Sequence, residues 1–386
     1  MTYKPLLGPC DSYQLEPFAY EWAWKMARDQ EALTWSPEET PTDKDVFDYK
    51  DPTLDPRHKH LFESVLAQLT TFDIERGDDA AETFLTLFQP AEIRHFFKRL
   101  IWEEGLHTRS YRFVIENLGV PLEIYDRWQT IPAMKARIDM ASELSRPVEL
   151  IIAQAKLNGT GYGDLGVTDR QDILRSLMFW GLIFEGVFFW LNLIGPVQQL
   201  SRLGRFRRAA EQFAFILRDE VGHVRFGQAL IREYMQQHKD CLTPGFLTQI
   251  HDDAVRAIQL EHDFMAYCLK DGPIVGYSLP EHIDTAKFFT NMQYASVGLQ
   301  PPFDDARHAF PWFSEVMELN KEKSFFEVVV QEYRKGAGLF SGDEEMEDAL
   351  GNELWNNPVQ PKHHTTKYQA DGASFTDDED DWQLNM

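Results

Sequence analysis

Apolar residues recur every three or four positions over most of the chain, which is the spacing of one face of an α-helix. The pattern runs from about residue 56 to residue 335 and predicts an all-α domain there. Residues 1–55 are mixed and rich in proline and acids, and we expect an irregular N-terminal arm that packs on this domain. Residues 336–386 lose the periodicity and end in an acidic run, which is typical of a flexible tail.

The best-defined predicted helix lies between Pro90, which suits a helix start, and Gly119, which suits the position after a helix end. Its stripe of inward-facing positions is apolar at both ends and polar in the middle. In order, the stripe reads Ile93, Phe97, Leu100, Glu104, His107, Tyr111, Val114 and Leu118. A carboxylate, an imidazole and a phenol therefore take positions that normally belong to the core.

Three other predicted helices repeat this placement of an acid. Asp73 lies in a stripe that runs from Phe62 to Phe84, and Glu185 is the only acid between Asp172 and Glu211. A later stripe, from Phe206 to Leu230, contains Glu220 and His223. Four helices thus each direct at least one carboxylate toward the predicted core.

An unpaired buried carboxylate costs several kcal/mol, and the usual remedy is an ion pair with arginine or lysine. These stripes offer none beside the acids, but they contain two Glu-x-x-His pairs, Glu104 with His107 and Glu220 with His223. This spacing places both side chains on one helix face, as in bundles that bind two metal ions. Four carboxylates balance two divalent ions, and the oxygen and imidazole ligands suit iron or manganese.

A third Glu-x-x-His pair, Glu92 with His95, has the same spacing but a different setting. It lies directly after Pro90, about 18 Å along the helix from Glu104 at 1.5 Å per residue, which is too far for one site. We expect it to complement the helix dipole and to face solvent.

Two further motifs are interpreted as structural. Residues 176–195 are apolar enough to cross a bilayer, but no basic flank or second span accompanies them, so a fully buried bundle helix is expected rather than a membrane span. Residues 161–166 match a dinucleotide-binding glycine pattern but follow no predicted strand, and we expect a loop.

The overall charge restricts the possible partners and location. The 386 residues carry a formal net charge of −24, which disfavours a nucleic acid partner. The N-terminus shows no secretory signal, and Cys10, Cys241 and Cys268 show no disulfide or metal-binding spacing, so a cytoplasmic protein with cysteines that only pack is expected.

Taken in order and approximate spacing, these residues resemble the small, radical-generating subunit of class I ribonucleotide reductase. The resemblance rests on Trp35-Ser36-Pro37-Glu38-Glu39, on Asp73, on residues 102–111 (WEEGLHTRSY), on Glu185 and on residues 218–223 (RDEVGH), and it extends over nearly the whole chain. It implies a ferritin-like helical bundle with additional helices and a flexible C-terminal tail. It also implies a homodimer that acts with a large catalytic subunit in deoxyribonucleotide synthesis.

The resemblance also implies roles for individual residues. Asp73, Glu104 and His107 would ligate one metal, and Glu185, Glu220 and His223 the other. Tyr111 would bear the radical, and Trp35, Asp219 and His107 would form the inner electron route. Tyr368 would relay the electron in the tail, whose last residues, with Trp382 and Leu384, would dock on the large subunit.

Two features are left open by the sequence. The one-electron oxidant resides either on Tyr111 or on the metals themselves. The presence of Asp73 and Tyr111 favours the members of the family that carry a tyrosyl radical. Phe189, Leu193 and Ile216 are candidates to form the wall of the pocket around Tyr111. Two iron ions are the first expectation for the metal pair, with two manganese ions or a mixed pair as alternatives.

Two other functions use the same six ligands. A dimetal oxygenase or oxidase would act on an apolar substrate in its own pocket, but it would have no need of Tyr368 in an acidic tail. A ferroxidase or iron store would be about one four-helix bundle long, which is shorter than this domain.

Overall fold

The computed structural model describes residues 4–8, 17–73 and 78–313. The described part contains helices and no β-strand beyond a single bridge between Ile274 and Tyr277. The α-helices are α1 Glu21–Ala32, α2 Asp45–Tyr49, α3 Pro56–Phe72, α4 Asp78–Leu87, α5 Ala91–Leu118, α6 Arg127–Thr130, α7 Pro132–Asn158, α8 Val167–Met178, α9 Trp190–Arg202, α10 Arg207–Gln237, α11 Pro244–Cys268 and α12 Leu279–Ser296. The all-α prediction is confirmed.

The N-terminal arm is more regular than we expected. Its described part contains α1, a 3-10 turn at Pro37–Glu39 and α2. Helix α1 packs along α5 and also touches α10. Its amphipathic sequence has Ala23 and Ala27 on the buried side, and these small residues allow α1 to approach the bundle closely. The expectation of an irregular segment is therefore wrong for this helix.

Helix α5 has the bounds that its terminal residues predict. Pro90 lies just before its first residue and Gly119 just after its last, with Gly119 in the left-handed conformation at φ 70°. That conformation favours glycine because a Cβ would crowd the backbone. The stripe that contains Asp73 was expected to lie on one helix from Phe62 to Phe84. Instead, α3 ends at Phe72 and a separate helix, α4, begins at Asp78.

The long apolar segment is a buried helix, as predicted. Helices α8 and α9 are joined by a π-helix at Phe179–Phe189 into one helical run, Val167–Arg202. This run is long and apolar enough to cross a membrane, but its most apolar stretch is completely buried in the bundle. Residues 161–166 form the loop between α7 and α8, so the glycine pattern there has no strand before it.

The start of α10 is fixed by acids from α2. Asp45 accepts from the backbone N–H groups of Arg208 and Ala209, and Asp48 accepts from that of Phe206. These bonds satisfy donors that a helix start leaves open, and negative charge is favoured there. They set the position from which α10 carries Glu220 and His223 into the core.

A buried ion pair joins the helices behind the π-helix. Arg137 on α7 lies 2.8 Å from Glu261 on α11, and Glu261 also accepts from His282 on α12 at 2.7 Å. All three side chains are fully buried. The opposite charges offset part of the cost of burying Arg137 and Glu261.

Candidate metal centre

The six predicted ligands converge in the centre of the bundle. Asp73 follows the last residue of α3, Glu104 and His107 lie on α5, Glu185 lies in the π-helix, and Glu220 and His223 lie on α10. Each has at most 1 % of its surface exposed. We call these six residues the central cluster.

The π-helix places Glu185 in the cluster. Gly181, in this segment, packs against α10 so closely that a Cβ on it would lie 3.2 Å from Cα of Gly227. This approach brings the helix that carries Glu185 against the one that carries Glu220 and His223. Helical periodicity predicts an ordinary α-helix for this segment, and the glycines in its apolar run are the local signal of the difference. π-Helical turns are rare and occur frequently at functional sites.

The ligand atoms form two overlapping groups. Asp73, Glu104, His107 and Glu220 make one group, and Glu104, Glu185, Glu220 and His223 make the other. Within each group the potential ligand atoms all lie within 4.8 Å of one another. Glu104 and Glu220 belong to both groups, so each could contribute ligand atoms to either of two ions. Each group contains one of the two implied sets of three ligands together with one glutamate from the other set.

The inward-facing atoms of the cluster have no hydrogen-bond partners in the described part of the chain. These atoms are both oxygens of each of the four carboxylates and Nδ1 of each histidine. An unsatisfied buried polar group costs roughly 1–3 kcal/mol, and more when it is charged. Two divalent cations would satisfy these atoms and neutralise the four carboxylates, so the residues fit a dinuclear metal-binding site.

Both histidines present the same nitrogen to the cluster. Nδ1 of His107 lies 3.2 Å from Glu220 and 3.5 Å from Glu104, and Nδ1 of His223 lies 3.4 Å from each of these glutamates. Their outer Nε2 atoms donate to carboxylates, His107 to Asp219 at 3.2 Å and His223 to Glu103 at 3.0 Å. Proton-bearing Nε2 leaves the Nδ1 lone pair free to bind a metal.

Burial and mutual repulsion shape the titration of the cluster. Burial, with repulsion from neighbouring glutamates, raises the pKa of Asp73 and of Glu185 well above their ordinary values. Burial alone would lower the pKa of each histidine, but the surrounding carboxylates outweigh it and raise both pKa values well above normal. Without metal, the cluster therefore holds protons that a bound cation would displace.

Tyr111 lies beside the cluster and is fully buried. Its ring packs edge-on against Phe213, with ring centroids 5.6 Å apart. Burial, and then the charges of Asp73 and Glu220, raise the pKa of its hydroxyl well above the ordinary value. Phe189, Leu193 and Ile216 are also buried, as expected of wall residues, but the aromatic contact of Tyr111 is with Phe213.

A hydrogen-bonded path leads from the cluster to the arm. Oδ2 of Asp219 accepts from Nε2 of His107 at 3.2 Å and from the indole N–H of Trp35 at 2.6 Å. The Trp35 ring stacks on Phe215 at 5.4 Å, which fixes its plane. The three residues predicted to form the inner electron route are thus in contact.

The third Glu-x-x-His pair takes no part in the central cluster. His95 stacks on Trp24 and lies 3.2 Å from Glu31. Glu92 is in the first turn of α5 as expected, but it is fully buried and accepts from the backbone N–H groups of Ala19 and Tyr20. The prediction that it faces solvent is wrong, because the arm covers it.

Three residues near the cluster were not predicted from the sequence pattern. Glu103 is buried against His223, Gln30 donates to the backbone carbonyl of Asp219, and Gly222 leaves room for the Gln30 side chain. The adjacent acids Glu103 and Glu104 were a signal in the sequence that a second acid lies near the cluster. Two adjacent residues cannot both lie in one helix stripe, so Glu103 had to face a different neighbour from Glu104. Tyr368, Trp382, Leu384 and Cys10 lie outside the described residues, whereas Cys241 and Cys268 are buried free thiols.

Comparison with known proteins identifies related chains. A sequence model of the family "Ribonucleotide reductase, small chain" matches residues 12–311. The ribonucleoside-diphosphate reductase subunit beta of Chlamydia pneumoniae is 27 % identical over 331 residues, which is 85 % of this chain and 92 % of that protein.

Solved structures show the same fold. The ribonucleotide reductase R2 subunit from Clostridium botulinum superposes with a TM-score of 0.68 at 20 % identity, covering 79 % of this chain and 90 % of the other. The dimanganese(II) form of NrdF from Streptococcus sanguinis superposes with a TM-score of 0.56 at 18 % identity, covering 80 % of this chain and 96 % of the other. These likenesses confirm the predicted ferritin-like bundle.

Proposed function

The chain belongs to the ribonucleotide reductase small-chain family, and we propose that its central cluster holds the two metal ions with which it generates a one-electron oxidant. It is the small subunit of ribonucleoside-diphosphate reductase, an oxidoreductase that works with a large subunit. The observation that carries the proposal is the pair of overlapping ligand groups joined by Glu104 and Glu220. Family membership favours this function over the oxygenase and ferroxidase alternatives.

Asp73, Glu104, His107, Glu185, Glu220 and His223 would hold the ions. When bound, the metal pair supplies the oxidising equivalent, which is drawn from O₂ or a related oxidant. Two iron ions are our first choice, and two manganese ions or a mixed pair are the alternatives, because the same oxygen and nitrogen ligands suit both elements. Reconstitution with each metal in turn, followed by an assay with the large subunit, identifies the active form.

Tyr111 would store the oxidising equivalent. Loss of one electron and of the hydroxyl proton converts its phenol to a neutral phenoxyl radical, and Asp73 is the neighbouring carboxylate that most strongly affects this hydroxyl. Full burial would keep solvent and reductants away from the ring. The residence of the oxidant on Tyr111 rather than on the metals is part of this proposal.

Tyr111→Phe tests the proposed radical site because it keeps the ring that packs on Phe213 and removes only the hydroxyl. Electron paramagnetic resonance of the oxidised wild type should show a tyrosyl signal, and the variant should lack it while retaining both metals. With the large subunit, the wild type should reduce ribonucleoside diphosphates and the variant should not. Full activity in the variant would place the oxidant on the metals.

Trp35, Asp219 and His107 would carry the electron between the cluster and the protein surface. Beyond Trp35, Tyr368 would relay it and the C-terminal residues around Trp382 and Leu384 would bind the large subunit. Deletion of residues 376–386 should abolish binding to that subunit, whereas Tyr368→Phe should abolish turnover but not binding. Normal turnover by Tyr368→Phe would overturn the relay assignment.

Small subunits of this family form dimers, and we propose a homodimer located in the cytoplasm. Analytical ultracentrifugation of the full chain tests the dimer: a sedimenting mass of twice the chain's 44.9 kDa is expected, and the monomer mass at micromolar concentration would contradict it.

A further inference from the structure

Glu103 is a buried acid outside the six predicted ligands. It precedes Glu104, which belongs to both ligand groups, on α5, and it is fully buried. Its Oε2 accepts from Nε2 of His223 at 3.0 Å, and its Oε1 accepts from Nε of Arg99 at 3.0 Å. Both oxygens therefore have partners, and one of those partners is a histidine of the central cluster.

The environment of Glu103 matches that of Asp219 on the other side of the cluster. Each of these carboxylates accepts from the outer nitrogen of one cluster histidine, and each has an arginine beside it. Arg99 lies 3.0 Å from Glu103, and Nε of Arg218 lies 3.8 Å from Asp219. Because each outer acid is paired with a cation, the four inner carboxylates still balance two divalent ions.

Gln30 from the arm contacts both residues that carry the outer carboxylates. Its amide donates to the backbone carbonyl of Asp219 at 3.0 Å and lies 3.5 Å from Oε2 of Glu103. The arm thus contacts the residues that orient both histidines. Glu103 does not form a simple surface ion pair with Arg99, because the residue is buried and its second oxygen is directed at His223.

The two outer carboxylates differ in what they contact next. Asp219 also accepts from the indole N–H of Trp35. Glu103 instead accepts from Arg99, whose guanidinium lies 4.2 Å from the centre of the Trp102 ring. A guanidinium is not a one-electron carrier under ordinary conditions. The hydrogen bond of Glu103 is therefore suited to holding an imidazole rather than to passing an electron to the arm.

We propose that Glu103 is a positioning residue for the half of the centre built by Glu185 and His223, an inference that rests on the proposed metal-binding function. It keeps the proton of His223 on Nε2, directs the Nδ1 lone pair at the ion, and makes the imidazole a stronger ligand. Arg99 fixes the orientation of Glu103 and balances its charge.

The test uses the full-length, metal-free protein and Mn²⁺ alone as the probe, with binding followed by equilibrium dialysis and by the electron paramagnetic resonance signal of Mn²⁺. The wild type should bind two ions. In Glu103→Ala one ion should still bind tightly, while the second binds roughly 10–100-fold more weakly. Its spectrum should change from that of a coupled pair to that of an isolated ion.

Two further variants separate positioning from a general structural effect. Glu103→Gln keeps an acceptor for His223 without the charge, so its loss of affinity should be smaller than that of Glu103→Ala. Glu92→Gln is the matched control, because Glu92 is also a buried acid on α5 but, within the described residues, accepts from two backbone amides of the arm. It should bind both ions as the wild type does.

Each outcome has a distinct meaning. If Glu103→Ala binds both ions with wild-type affinity, the positioning role is overturned. Equal weakening of both ions, or equal loss in Glu92→Gln, would show a structural role and also overturn it. If Glu103→Ala loses helicity, Glu103→Gln decides by whether the second ion alone is weakened. Failure of the wild type to bind two ions would instead overturn the proposed function.

Discussion

The indole N–H of Trp35 donates to Oδ2 of Asp219 at 2.6 Å, across 184 positions of sequence. The same oxygen accepts from Nε2 of His107, so one carboxylate joins the arm, α10 and α5. All three side chains are at most 4 % exposed. A single buried acceptor thus connects the central cluster to an aromatic ring of the arm.

Trp35→Phe should abolish turnover while leaving the metals in place. The phenyl ring preserves stacking on Phe215 but cannot donate to Asp219, so the path is interrupted without a cavity at the cluster. Metal analysis should give two equivalents, and nucleotide reduction with the large subunit should fall to background. Trp24→Phe, which changes another tryptophan of the arm, should retain activity. Wild-type turnover by Trp35→Phe would show that the electron takes another path.

The shared ligands should be more important for metal content than the unshared ones. Glu104→Ala and Glu220→Ala each remove a residue common to both ligand groups and should lose most of both ions. Asp73→Ala and Glu185→Ala each affect one group and should retain about one ion, as measured by metal analysis after reconstitution.

His95→Ala provides the control for these four variants, because His95 has the same Glu-x-x-His spacing but lies against Trp24 and Glu31. It should keep both ions. An equal loss in all five variants would remove the distinction between shared, unshared and remote residues.

Gly222→Ala should destabilise the protein through Gln30. A Cβ at this position would clash with the amide end of the Gln30 side chain, which would have to leave its place beside Asp219. Overpacking of this kind typically costs about 1–3 kcal/mol. Denaturant unfolding of the metal-free protein measures the loss.

Gly105→Ala is the matched control for Gly222→Ala, because it also lies inside a helix but a Cβ there meets nothing within 4 Å. It should stabilise the protein by about 0.5–1 kcal/mol, since alanine favours the helix. A similar change in both variants would show that helix propensity, and not contact with Gln30, decides the result.

Metal should stabilise the protein more at higher pH. Asp73, Glu185, His107 and His223 have raised pKa values, so their protons stabilise the metal-free fold at low pH, and this contribution is lost as pH rises through the folded-state pKa values. Bound cations replace those protons. The difference in Tm between metal-loaded and metal-free protein should therefore widen between about pH 5 and about pH 8. A constant difference over this range would contradict proton displacement.

The sequence by itself determined which helices carry the central cluster. A period of 3.6 residues assigns each position to a helix face, so acids at Glu104, Glu185 and Glu220 could be recognised as inward-facing before any contact was known. Pro90 and Gly119 likewise marked the ends of α5, because proline and glycine restrict or permit particular backbone angles.

Only the tertiary structure decided which atoms meet. Helix crossing made Glu104 and Glu220 common to both ligand groups, and close packing at Gly181 accompanies a π-helix that ordinary periodicity does not reveal. The arm covered Glu92, which the sequence placed in solvent, and packing against α10 directed Glu103 to His223. Periodicity assigns a residue to a face of its own helix, whereas its partners depend on the neighbouring helix and on the side-chain rotamer.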